Sequence, residues 1–147
     1  MSKEITRRAF VKSILDDRPE NLAVVAGLGS PCWDTAAAGD DPKNMYVWGA
    51  MGGAAMIGYG VAQAQKGRRI LVITGDGEMM MGMGAFSTIA WHPVSNLAIL
   101  VLDNGRFGET GAQPTHTSGP ADLGALAAAS GIEKVQTISD PDDTETL

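Results

Sequence analysis

Asp76 lies between Gly75 and Gly77, and Asn104 sits in an Asp103-Asn104-Gly105 turn. A carboxylate and an amide oxygen are hard ligands suited to magnesium or calcium, and magnesium completes its octahedron with phosphate oxygens and water. The two positions are 28 residues apart (104 − 76), room for one helix and one strand, so their turns can sit side by side. A helix beginning near Glu78 would aim free N–H groups at the same phosphates. A third glycine-bearing turn, Gly27 to Ser30, belongs with these two. Asp76 alone reads equally well as a turn residue; Asn104 at this spacing is what favours metal.

These turns need elements to hold them. Residues 4–16 mix basic side chains with Ile5, Ala9, Phe10, Ile14 and Leu15, which predicts an amphipathic helix. Leu22 to Ala26 predicts a buried strand, followed by a loop from Gly27 to Pro31. A short strand over Met45 to Trp48 precedes a small-residue helix from Met51 to Gln65. Each internal glycine costs such a helix about 1 kcal/mol, so something must pack close to its backbone. Ile70 to Thr74 is a strand, Met79 to Trp91 a helix, and Leu97 to Leu102 a strand. A Gly- and Thr-rich loop then runs to about Pro120, and Ala121 to Ser130 forms a helix closed by Gly131. Ile132 to Ile138 reads as a weaker last strand, and Asp140-Pro141-Asp142-Asp143 as the start of a helix cut short at Leu147.

Apolar strands alternating with helices predict an α/β fold, a parallel sheet covered by helices on both faces. Ligands of such sheets bind beyond the carboxyl ends of the strands, where all three glycine turns fall. The expected organisation is one domain over residues 1–147, truncated at the C-terminus and lacking its last helix and strand.

Composition narrows the function classes. Lys and Arg total 11 against 17 Asp and Glu, a net charge of −6, which argues against nucleic acid or an anionic membrane as partner. Phosphate would have to be held by backbone N–H groups or a metal ion. The lone cysteine, Cys32, allows no intrachain disulfide and no multi-cysteine metal cluster. No stretch reaches the roughly 20 apolar residues of a membrane span, and the N-terminus lacks an apolar signal core. A cytoplasmic protein is expected.

The segment GDGEMMMGMGAFSTIAWHPVSNLAILVLDNG resembles the thiamine-diphosphate motif, GDG followed after a helix and strand by an Asn turn. MYVWGAMGGAAMIGYGVA resembles that family's G-S-M-G helix start, and ETGAQPTHT the segment after the Asn turn. The flanks look most like the β subunits of sulfopyruvate decarboxylase and the related phosphonopyruvate decarboxylases, over roughly Thr6 to Val135. The resemblance implies a thiamine-diphosphate-binding fold and thiamine diphosphate with magnesium as cofactors. It makes Asp76 and Asn104 metal ligands, with the backbone carbonyl of Arg106 as the third. Gly75, Gly77 and Glu78 would bring backbone groups to the diphosphate, and Gly29 and Ser30 would complete the cradle. In the Gly49-Ala50-Met51-Gly52 turn, the Gly49 carbonyl would accept from the aminopyrimidine and Met51 would wedge beneath the bent cofactor.

The implied activity is decarboxylation of a 2-oxo acid, with the cofactor as electron sink. Acetolactate-synthase-type carboligation and an incomplete, non-catalytic binding subunit are the alternatives. No catalytic residue is assigned to this chain. The glutamate that the pyrimidine ring needs has no match among Glu4, Glu20, Glu78, Glu109, Glu133 and Glu145. It is expected on a pyrimidine-binding α subunit, making the assembly a hetero-oligomer whose halves pack through the glycine-rich helix, Gly52 to Gly60. Two positions depart from the family pattern: Ala50 replaces a serine, and Cys32-Trp33-Asp34 stands where phosphonopyruvate decarboxylases carry Ser-Arg-Glu.

Other features read more plainly. Gly27-Leu28-Gly29 falls short of a dinucleotide fingerprint, since Cys32 occupies the third glycine position. Met79 to Met83 reads as core packing, Cys32 as a packed residue near the cofactor, and His92 as a cap or surface group. His116 and Glu109 follow the cofactor loop and are candidates for substrate contact, with a solvated loop position as the plainer reading of His116.

Overall fold

A computed structural model describes residues 6–139. In chain order the elements are α1 (Arg7–Asp16), β1 (Leu22–Ala26), α2 (Ser30–Ala38), β2 (Asn44–Tyr46), α3 (Ala54–Ala64) and β3 (Arg69–Gly75). They continue with α4 (Asp76–Met81), α5 (Gly84–Trp91), β4 (Leu97–Leu102), β5 (Arg106–Phe107), β6 (Gln113–Pro114) and α6 (Leu123–Ala129). Short 3₁₀ turns occupy Gly108–Thr110 and His116–Ser118.

Four strands form one parallel sheet in the order β2-β1-β3-β4, and β5 pairs antiparallel with β6 in a small hairpin. The chain steps from β1 outward to β2, then crosses back to lay β3 and β4 on the other side of β1. The connections leaving β1 and β3 therefore diverge, and a crevice opens between their carboxyl ends. Neighbouring residues feed opposite layers, as the period of a strand requires. Val24 and Ile73 pack with Val11, Leu15 and Leu22 on the α1 face. Val25 and Val72 pack with Ala54 and Ala62 of α3 on the other. The α3 side continues through Tyr59, Met79, Phe86 and Ile89 to Leu123 and Ala127 of α6. The expected arrangement, helices on both faces of a parallel sheet, is the one observed.

Four details differ from expectation. Ser30–Ala38 is helical where only a loop to Pro31 was read; Pro31 falls in its first turn, where a missing N–H costs nothing. The predicted helix from Met79 to Trp91 starts earlier, at Asp76, and breaks at Gly82 and Met83. Only glycine fits at the break: a Cβ on Gly82 would lie 2.0 Å from the Gly52 carbonyl oxygen. No strand forms over Ile132 to Ile138 among the described residues; only Ile132 and Ile138 are partly buried there, too few to give a strand an apolar face. The second strand is also shorter, Asn44–Tyr46, with Val47 and Trp48 beyond it. Ile5 at the start of the first helix and the Asp140 to Asp143 helix start lie outside the described residues.

Candidate cofactor and metal site

The crevice between β1 and β3 is built by four turns. At the end of β1, the Gly27 N–H donates to the Ile73 carbonyl at 2.8 Å and prolongs the pairing with β3. Gly27 cannot carry a side chain, because a Cβ would sit 1.9 Å from Glu78 Oε2. That oxygen accepts from the Leu28 N–H at 3.0 Å and from Thr74 Oγ1 at 2.8 Å, clasping the β1 turn to the β3 turn. Glu78 Oε1 is buried without a partner among the described residues. Gly29, at φ +79°, is the backbone kink from which Ser30 starts α2.

At the end of β3, Gly75 caps α4 and Asp76 is its first residue, 2% exposed. The Asp76 carboxylate accepts from Thr115 Oγ1 and, at 3.0 Å, from Thr117 Oγ1. Its Oδ1 lies 3.4 Å from the Asn104 backbone nitrogen. Beyond β4, Asn104 Oδ1 accepts from the Arg106 N–H at 2.9 Å, an Asx turn that Gly105 completes at φ +66°. Asp103 Oδ1 lies 2.7 Å from the same Thr117 hydroxyl, whose single proton the two carboxylates share, so the 3₁₀ turn at His116–Ser118 lies against both acidic turns. Asp76, Asn104 and Arg106 are thus brought together. Asp76 and Glu78 are buried carboxylates without an ion pair among the described residues.

The fourth turn follows β2. Gly53 N–H donates to the Ala50 carbonyl at 2.7 Å, and Gly52, at φ +92°, places its carbonyl against Gly82. Gly49 and Gly75 face open space, with nothing within 4 Å of a Cβ built there, and Met51 is exposed. Gly29 and Gly77 are instead covered by the hairpin after the Asn turn. Glu109 Cγ lies 2.7 Å and Phe107 Cε1 2.3 Å from the Cβ positions of Gly29 and Gly77 respectively.

Several other residues fall where their surroundings dictate. His116 and His92 are exposed, as read. Cys32 is buried, and burial pushes its thiol up to about 11, with the nearby Glu78 charge adding to the rise and a hydrogen bond to the Val47 backbone opposing it. The methionine cluster is only half core: Met79 is buried, whereas Met81 and Met83 are exposed. Two of the glycines from Gly52 to Gly60 have a reason within this chain. Gly52 meets Gly82, and a Cβ on Gly58 would lie 2.2 Å from Val72 Cγ2 of this chain's own sheet. Thr115, Thr117 and the Glu78 side chain were not singled out from the sequence. The Thr115-His116-Thr117 alternation, which aims two hydroxyls the same way, was the available signal for the first two.

A family profile described as thiamine pyrophosphate enzyme, C-terminal TPP binding domain, matches residues 35–147. The chain is 38% identical over 138 residues to a phosphonopyruvate decarboxylase of Streptomyces viridochromogenes, covering 94% of this chain and 34% of that protein. It is 33% identical over 130 residues to the sulfopyruvate decarboxylase subunit beta of Methanocaldococcus jannaschii, covering 88% of this chain and 69% of that protein. The chain thus spans about a third of the length of the first relative. Its fold matches benzoylformate decarboxylase from Polynucleobacter necessarius with a TM-score of 0.76 at 15% identity, over 97% of this chain and 30% of that one.

Proposed function

Because this chain belongs to the thiamine pyrophosphate enzyme family through its C-terminal TPP-binding domain, we propose that it is the diphosphate- and magnesium-binding subunit of a heteromeric 2-oxo acid decarboxylase, sulfopyruvate decarboxylase-like. The observation that carries the reading is the buried Asp76 carboxylate set against the Asn104 turn at the crevice between β1 and β3. All three donors offered there are oxygens, the set magnesium prefers. Thr115 and Thr117 engage Asp76 Oδ2 and the Asn104 N–H faces Oδ1, and a carboxylate has about four acceptor positions, so it keeps capacity for a metal. In this reading Asp76 is the one charged ligand, since among the described residues no three His, Cys, Asp or Glu side chains cluster to form a site of their own.

In this reading Asp76, Asn104 and the Arg106 carbonyl hold magnesium. Gly75, Gly77 and Glu78 present backbone groups to the diphosphate in the first turn of α4, where N–H groups have no intrahelical acceptor. Gly29 and Ser30 line the opposite wall. The Gly49-Ala50-Met51-Gly52 turn receives the pyrimidine, and the space over Gly49, where nothing lies within 4 Å of an added Cβ, leaves room for it. Bound thiamine pyrophosphate supplies an electron sink for loss of carbon dioxide from a 2-oxo acid. This chain's own part is to fix metal and diphosphate: Thr115 and Thr117 orient the Asp76 carboxylate, and Glu78 locks the β1 turn against the β3 turn.

The glutamate for the pyrimidine comes from a pyrimidine-binding partner, in a cytoplasmic hetero-oligomer. Glu78 is the one buried glutamate among the described residues, and its Oε2 is already engaged by Leu28 and Thr74. No helix among the described residues is long and apolar enough to cross a membrane. The organisation proposed is one TPP-binding domain over residues 1–147.

Native mass spectrometry of the tagged chain, gently purified from its source cells, tests the assembly. Recovery with a second subunit, thiamine diphosphate and magnesium is expected; recovery alone and cofactor-free refutes the half-site. On the assembled complex, Asp76→Ala should abolish magnesium-dependent cofactor binding, and unchanged affinity would remove Asp76 from the metal site.

A further inference from the structure

The rim that carries Gly29 and Gly49 also carries two exposed tryptophans. Trp33, in the first turn of α2, is 56% exposed and its backbone N–H donates to the Gly29 carbonyl. Trp48, two residues past β2 and one before Gly49, is 47% exposed. Their rings meet edge to face with centroids 5.0 Å apart, and the exposed Met51 follows on the next turn. A T-shaped pair in this geometry is a rigid apolar platform.

The charges around the same crevice are of one sign. Asp76 and Glu78 are buried without ion pairs among the described residues, Asp103 is tied to Thr117, and Glu109 lies over Gly29. Two of the nearby cations, Arg7 and Arg8, both pair with the fully buried Asp34 on α2. An extra acid group on a substrate would enter beside these carboxylates and a diphosphate, and among these residues Arg106, which donates to the Ala112 carbonyl at 3.4 Å, is the one guanidinium not paired with a carboxylate. An apolar group would instead cover tryptophan surface now in water.

Resting on the decarboxylase reading above, we propose that the 2-oxo acid taken by this site bears an uncharged, apolar side chain seated on the Trp33–Trp48 platform, and not a second acid group. The assay uses the complex purified with its own partner, loaded with thiamine diphosphate and magnesium. It compares kcat/KM for phenylpyruvate and 4-methyl-2-oxopentanoate with that for sulfopyruvate. The apolar acids should be preferred by about tenfold or more, the scale of discrimination that burial of an apolar side chain provides. Trp33→Ala and Trp48→Ala, both surface substitutions, should each lower that ratio several-fold, chiefly through KM.

A complex that decarboxylates sulfopyruvate best upholds the proposed function and overturns this inference. So does a pair of variants that release the partner subunit, seen by native mass, while the substrate ratio of the remaining complex stays unchanged; the tryptophans would then be an interface. A complex that binds cofactor but turns over no 2-oxo acid overturns both.

Discussion

Two glycines on one helix should respond to the same substitution with opposite signs. Gly58 and Gly60 both lie inside α3, so replacing either with alanine removes the backbone entropy of glycine and favours the helix by about 1 kcal/mol. At Gly60, exposed and with nothing within 4 Å of a new Cβ, that gain stands alone. At Gly58 the new methyl would lie 2.2 Å from Val72 Cγ2, well inside van der Waals contact. Val72 is fully buried in the middle of β3 and stiff at χ1, so neither it nor the strand can yield cheaply. Overpacking of this kind costs about 1–3 kcal/mol or more, which outweighs the helical gain. Gly60→Ala should therefore be stabilised by up to about 1 kcal/mol and Gly58→Ala destabilised by about 1–2 kcal/mol. Urea unfolding of the two purified variants at one protein concentration reads this as midpoint shifts in opposite directions. A Gly58→Ala protein as stable as Gly60→Ala would show that α3 does not rest on β3 as described.

Three further outcomes follow from the buried polar groups. The Cys32 thiol, raised from 9.0 to about 11, keeps its proton in the folded chain after the unfolded chain has lost it, so stability should fall with pH between about 9 and 11, by up to about 1.4 kcal/mol per unit. Cys32→Ser should flatten that limb of the pH profile, and native Cys32 should resist alkylation at pH 8 until the protein is unfolded; rapid native labelling would contradict its burial. Asp34→Ala leaves Arg7 and Arg8 without their carboxylate, but both guanidiniums reach water, so the expected loss is about 1–3 kcal/mol, below the cost of stranding a fully buried charge. Breaking the exposed Lys12–Asp16 pair should cost no more than about 0.5 kcal/mol, and an equal cost for the two in urea unfolding would refute the distinction. Thr115→Val keeps the shape of a buried side chain and removes one hydroxyl from Asp76, costing about 1.5–3 kcal/mol and weakening magnesium-dependent cofactor binding. Calorimetric titration with magnesium and thiamine diphosphate checks the second effect.

The apolar runs carried most of the fold into the sequence. Leu22–Ala26 and Leu97–Leu102 have the predicted bounds because each is a hydrophobic block ending at polar or glycine residues. Helix α2 was illegible because Pro31 and Cys32-Trp33-Asp34 give no helical period, and its start is fixed by the conformation of Gly29, which one-dimensional patterning does not express. The need for glycine at position 82 was hidden for a related reason: the carbonyl that crowds it belongs to Gly52, thirty residues away (82 − 52). Asp76 and Asn104 could be found because both turns directly follow strong strands. Thr115 could not, since its tie to Asp76 spans 39 residues through an irregular loop. The sequence alone does not state which face of α3 meets Val72, so the reason for Gly58 lies outside its one-dimensional pattern.

The Glu78 clasp has a consequence for how the site comes into being. Its bond to Leu28 spans 50 residues, the Asp76–Thr115 bond 39, and the contact from Asp76 to Asn104 another 28. Contacts of that separation bear a large loop-closure entropy and cannot form from any local segment. The crevice is therefore assembled only once β1, β3 and β4 are in register, and a partly folded chain holds no fraction of it. A ligand that binds there selects the completed sheet, and each increment of its binding adds to the stability of the native state by mass action.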